Sequence, residues 1–168
     1  MPEATIEPWL RGTLTEVNAV HRGVLHALQL AEEDVARWCG ELSDTEIHER
    51  PFNLPSVGFQ IRHIARSLDR LLTYAEGEDL SAEQLTALKA EMEADATREA
   101  IFAEFNQAIA EAKRRVVALL AVDLNRSRTV GRKRLPTSVG GLLVHIADHS
   151  QRHVGQAITT AKVVRAPR

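Results

Sequence analysis

The sequence predicts an all-α fold: a four-helix bundle with long crossover connections and one or two short extra helices. Three observations carry this. Four segments of roughly twenty residues or more place apolar side chains at steps of three and four, the period of a helix with one buried stripe. No segment shows the sustained alternation of a half-buried strand. Capping residues, glycines and prolines stand at the ends of the periodic segments. At 168 residues the chain is read as one domain, 1–168, large enough to bury a real core.

The first helix is predicted over about Leu14 to Trp38, on the stripe Val17, Val20, Val24, Leu28, Ala31 and Val35, with Gly40 as its stop. Ser43 and Glu46 form a capping box at a short turn, SDTEIHER. The loop ERPFNLPSVG carries two prolines, which push the residues before them out of the helical region. Ser56 caps the second helix, Val57 to Tyr74, and Gly77 ends it. Ser81 and Gln84 form a second capping box, for a shorter helix over Ala82 to Ala94. The third long helix runs from Arg98 to Ala121, on Ile101, Phe105, Ile109, Ala112, Val116 and Leu119. The stretch VDLNRSRTVGRKRLP is polar and basic and is read as a loop with room for a short hairpin. Thr137 caps the last helix, Ser138 to Val164. The connections on either side of the second helix each take roughly twenty residues, longer than simple up-and-down bundles use, which is why crossovers are expected.

Composition narrows the function classes. Apolar residues make up 44% and charged residues 26%, an ordinary globular balance. A net charge of −2 argues against bulk attraction to nucleic acid or to an anionic membrane. Cys39 is the single cysteine, so no intrachain disulfide forms. The N-terminal MPEATIEPWL lacks the apolar core of a signal peptide, and no run is long enough to span a bilayer. A cytoplasmic protein is the expectation. The basic stretch RSRTVGRKR lacks interleaved aromatics and any recognition-helix pattern, so no nucleic-acid partner is expected.

The chemistry concentrates in the last helix. HIADHSQRHVGQ sets His145, His149 and His153 four residues apart. Residues four apart on a helix share a face one turn along, so an adjacent pair of imidazoles can hold one ion. His145 and His153 are separated by about 12 Å of rise, too far for all three to hold it. A further ligand must come from another helix, and His63, at the edge of the second helix's apolar stripe, is the candidate. Gln60, Ser67 and Arg70 lie on its face. The residue after His149 is Ser150, so the glutamate base of an H-E-x-x-H protease is missing. Gln60, Leu142, Ile146 and Ser150 precede the four histidines by three, so the Glu-x-x-His of di-iron bundles is missing too. His21 and His26 lie five residues apart and share no face, His48 falls in a turn, and all three are read as bystanders, as is Cys39.

A helix-2 histidine in RHIARSLDR, followed much later by HIADHSQRHVGQ, resembles the DinB/YfiT-like family of metal-dependent four-helix-bundle proteins. The order and length of the helices match as well. The resemblance implies that His63, His149 and His153 hold a divalent metal (Zn, Ni, Fe or Mn), with His145 a recurrent neighbour outside the ligand set. Val154 stands where the family often has arginine, whereas Gly155 and Gln156 follow the pattern. The family implies a bacterial-type thiol-dependent S-transferase, using a low-molecular-weight thiol, or a metal-dependent hydrolase. The alternative is a non-catalytic, stress-related metal-binding bundle acting through dimerisation; a homodimer is implied in either case. Three neutral histidines would leave the ion its full charge to activate a thiol or water. Gln60, Ser67 and Gln156 are the candidates for orienting that group or a substrate. Asp69 and Asp148 are candidate acceptors for imidazole N–H groups, Asp148 the poorer because it lies about 100° around the helix from His149.

Overall fold

A computed structural model describes residues 6–90 and 96–166. The elements are α1 (Ala19–Cys39), α2 (Val57–Glu76), α3 (Ala82–Lys89), α4 (Arg98–Ala118), β1 (Ser127–Val130), β2 (Leu135–Ser138) and α5 (Val139–Val164). Single 3₁₀ turns occupy Pro8–Leu10, Glu46–His48 and Pro51–Asn53. The fold is thus all-α apart from one small hairpin. Among the described residues, no helix is long and apolar enough to cross a membrane.

Around the bundle the order of neighbours is α1, α5, α2, α4 and back to α1. Cross-helix bonds fix the directions. Gln60 meets His153 and Pro55 meets Thr160, so α2 and α5 are antiparallel. Gln151 meets Ala27 and Arg165 meets Glu41, so α1 and α5 are parallel. Arg66 meets Glu104 while Arg115 meets Asp69 and Glu76, so α2 and α4 are parallel. The bundle therefore runs up, down, down, up in chain order. Two parallel neighbours cannot be joined by a tight turn, so the chain between α2 and α4 must travel back along the bundle. α3 makes part of that return by lying against α2: Gln84 bonds Asp69 and Thr73, and Arg66 bonds the Ala87 carbonyl.

The core is aliphatic. Leu28, Val35, Ile61, Ile64, Leu68, Phe105, Ile109, Leu143 and Ile146 are all buried within one cluster. A buried charge at the α2/α4 seam is met by several acceptors: Arg115 donates to Asp69 Oδ1 (2.8 Å), both oxygens of Glu76 (2.8 and 2.6 Å) and Thr73 Oγ1 (3.1 Å). Such a cation is tolerable only because its donors are met by acceptors.

Several boundaries differ from the sequence reading. α1 begins at Ala19, not Leu14, because Leu14 takes a positive φ of 58° and the Asn18 side chain caps the helix by accepting from the His21 N–H. α2 extends to Glu76, where Gly77 at φ 96° supplies the left-handed stop. α4 ends at Ala118 rather than Ala121. Ser138, not Thr137, caps α5, its hydroxyl accepting from the Gly141 N–H. The capping box at Ser81 and Gln84 forms as read, but the helix it starts stops at Lys89; most of the further stretch toward Ala94 lies outside the described residues. The stretch read as a loop contains the hairpin, with Ser127 opposite Ser138 and Val130 opposite Leu135. Strands of four residues are too short for alternation to declare itself.

Candidate metal centre

α2 and α5 bring three imidazoles together. His63 comes from the middle of α2, and His149 and His153 from successive turns of α5. The antiparallel packing sets Gln60, His63 and Ser67 along α2 against the His153-to-His145 row of α5. One ligating atom from each of His63, His149 and His153 lies within 4.8 Å of the others. His63 Nε2 and His149 Nε2 are 3.2 Å apart. The ring centroids of His63 and His153 are 4.4 Å apart, and those of His149 and His153 4.5 Å. All three are partly buried. Phe59 stacks on His63 at 5.5 Å and walls that ring on one side.

This donor set fits a divalent ion. Nitrogens bound at about 2.05 Å in a tetrahedral site sit about 3.3 Å apart, close to the His63–His149 spacing. The protonation states fit as well. His149 is pushed down to about 4, first by burial and then by His153, His63, His145 and Arg152, so it is neutral at ordinary pH, the state a metal requires. For His153, the Gln60 side-chain oxygen accepts from Nδ1–H at 2.6 Å. An amide oxygen cannot donate, so the proton sits on Nδ1 and the Nε2 lone pair faces the cluster. Gln60 is only 2% exposed, so the bond is shielded from water.

The other sequence candidates take distinct places. Ser67 is buried, with its Oγ 3.5 Å from His63 Nε2 and accepting from Arg70 at 3.0 Å. Gln156 is exposed and lines a cavity of about 320 Å³ with Leu54, Pro55, Gln60, Arg152, Thr159 and Thr160. Gln60 belongs both to that cavity and to the His153 bond, so it stands between cavity and cluster. His145 is exposed and only its ring neighbours His149, at 5.4 Å. The two aspartates named as imidazole acceptors do not serve: Asp69 accepts from Arg115 and Gln84, and Asp148 pairs with Arg152 on the exposed face. Val154 is buried among the core side chains of α5, so the arginine of the family pattern has no counterpart there.

The bystander histidines are less idle than their spacing suggests, though none joins the cluster. His21 is fully buried and donates from Nδ1 to Asn18 Oδ1 at 2.8 Å, His26 bonds Thr13, and His48 donates from Nε2 to the Ala96 carbonyl. Cys39 is buried and its thiol is pushed up to about 12 by burial and by Asp34, so it is no nucleophile. In the basic hairpin, Arg128 donates to the Ala75 carbonyl at 2.7 Å and closes the C-terminal end of α2.

No curated protein and no solved structure matches the chain. A family model does: that of the DinB superfamily, over residues 27–157. The match takes in α2 and the histidines of α5, the parts that assemble the cluster. On that match, which covers most of its length, the chain belongs to the DinB superfamily.

Proposed function

We propose that the protein is a divalent-metal-dependent enzyme, an S-transferase acting on a small thiol or a hydrolase acting with water. The observation that carries this reading is the convergence of three imidazoles, from two helices, on one point, with no carboxylate or thiolate completing the set among the described residues. A cluster closed by a fourth protein ligand is built for structure; one with three leaves a position for an exchangeable group. When bound, a divalent ion supplies Lewis acidity, which brings an O–H or S–H within reach of deprotonation near neutral pH.

The chain's own groups prepare the rest. Gln60 holds His153 in a single tautomer and orientation. Phe59 and the aliphatic core keep bulk water from one side of His63. The cavity beside Gln60 offers room for the non-reacting part of a small molecule, with Arg152, Gln156 and Thr159 as its polar edge.

The test is metal analysis of the purified protein, followed by a thiol-transfer and ester-hydrolysis screen with and without chelator. One divalent ion per chain, lost in His149→Ala, together with chelator-sensitive turnover, is the expected result. Full metal occupancy in His149→Ala sinks the assignment of the ligands. Full occupancy in the wild type without turnover of any thiol or ester leaves a binding protein and sinks the enzyme.

A further inference from the structure

We infer that the cavity beside Gln60 is a recognition site for a small neutral molecule with a carbonyl next to an apolar arm. Gly155 is its bare floor, and the Gln60 amide is its hydrogen-bond donor. The inference deepens the reading of that cavity given above and rests on it for the ligand being a substrate; the binding itself needs no ion.

The first ground is an unmatched donor. Gln60 lines the cavity and is 2% exposed. Its Oε1 accepts from His153 Nδ1–H at 2.6 Å. Its amide nitrogen carries two N–H groups, and no acceptor meets them among the described residues. Leaving a buried N–H unmatched is costly. A carbonyl oxygen held in the cavity removes that cost. The bond to His153 also holds the amide in one orientation, so the donor is set before the ligand arrives.

The second ground is the floor. Gly155 lies in the interior of α5 and lines the cavity. Glycine in a helix interior is less stable than alanine, so its place there calls for a reason. Close packing is not that reason, because a Cβ built on Gly155 meets nothing within 4 Å. Nor is backbone conformation, because its φ is not positive. The room a Cβ would take belongs to the cavity. A ligand can therefore lie directly against the helix backbone at this point.

The third ground is what the rest of the lining has already spent. Thr159 Oγ1 donates to the Gly155 carbonyl at 2.9 Å, and Thr160 Oγ1 to the Pro55 carbonyl at 3.4 Å. Arg152 already has Asp148 as its counter-ion. Leu54 and Pro55 add an apolar wall. A charged ligand would give up water here without gaining a partner, whereas a neutral one with an apolar arm and one strong acceptor matches the lining. No histidine of the cluster lines the cavity. The carbonyl held by Gln60 therefore belongs to the anchoring part of the substrate and not to its reacting end.

The test is a proton–nitrogen correlation NMR titration of the full chain, with and without Zn(II). N-benzylacetamide is the probe, and phenylacetate and benzylammonium are charged controls with the same arm. The probe is expected to shift the Gly155 amide and the Gln60 side-chain amide, with a Kd on the order of millimolar for a molecule of its size. Both controls are expected to bind at least about fivefold more weakly. Gly155→Ala fills the floor and should weaken the probe about fivefold or more, with a melting temperature no lower than that of wild type. Gln60→Glu keeps an acceptor for His153 but loses the donor, so the probe should weaken about tenfold while Zn(II) binding is retained. Absence of a shift at Gly155, phenylacetate binding more tightly than the probe, or equal probe affinity in wild type and both variants overturns the inference and leaves the metal reading intact. A wild-type chain that binds the probe as described but takes up no Zn(II) supports the site and overturns the metal reading.

Discussion

Replacing Gln60 by leucine removes one hydrogen bond and should weaken metal binding without touching a ligand. Gln60 Oε1 lies 2.6 Å from His153 Nδ1 and is 2% exposed, so no solvent molecule stands ready to replace it. With the amide present, the Nδ1–H tautomer is enforced and the Nε2 lone pair is aimed at His63 and His149. With leucine, the imidazole can turn or shift its proton to Nε2, and either change must be reversed before an ion can bind. Loss of such an outer partner typically costs about 10–100-fold in metal affinity, or about 1.4–2.7 kcal/mol. The buried position places Gln60→Leu toward the upper part of that range. Gln60→Glu tests the direction: a carboxylate accepts more strongly from Nδ1–H and makes the imidazole a better donor, so affinity should be regained or exceed that of wild type. The assay is competition for Zn(II) against a chromophoric chelator at pH 7.5, with far-UV circular dichroism to show that each variant is folded. A folded Gln60→Leu variant with affinity within threefold of wild type would refute the reasoning, because His153 would then be oriented by something else.

Three further outcomes follow from the geometry. His149 has its pKa lowered to about 4 from an unfolded value near 6.5, so the unfolded chain takes up that proton first as pH falls. The metal-free protein should therefore keep this contribution above about pH 6.5 and lose it between 6.5 and 4, by about 1–2 kcal/mol after allowance for partial solvation. Urea midpoints of chelator-treated wild type and His149→Asn should diverge over that window, and parallel curves would contradict it. Arg115→Met removes the cation that meets Asp69, Thr73 and Glu76, and should cost about 2–3 kcal/mol, seen as a melting temperature lower by roughly 5–10 °C; an unchanged melting curve would show the network to be dispensable. Gly77→Ala forces a side chain onto φ 96° with its Cβ 3.4 Å from the Arg128 guanidinium, and should cost about 1 kcal/mol or more in chemical denaturation. Gly155→Ala, a helical position with open space around its Cβ, is the matched control and should be neutral or slightly stabilising.

Much of this protein is written locally. The stripe from Val24 to Val35, the Ser56 cap, the Ser81–Gln84 box and the stop at Gly77 depend on residues within a turn or two of one another, and each is found where its pattern places it. The i, i+4 pair His149 and His153 is of the same kind, since helix geometry alone puts both on one face. Where the local reading slipped, two local signals competed: at α1 the stripe runs back toward Leu14, but Asn18 caps the helix and the chain before it turns away.

Tertiary structure decided everything that depends on which helix lies beside which. The up-down-down-up order follows from the α2/α4 seam, where Arg115 finds its acceptors, and no stretch of sequence announces that pairing. That His63 reaches both His149 and His153 depends on α2 running antiparallel to α5 in one register; a shift by a turn would break that convergence. The same register turned Gln60 into the partner of His153, and the packing of α2 against α4 committed Asp69 to Arg115. Residue spacing encodes contacts within an element, because backbone hydrogen bonds fix its geometry. Contacts between elements are fixed by the packing of whole faces, a sum over many side chains to which each histidine contributes only a little.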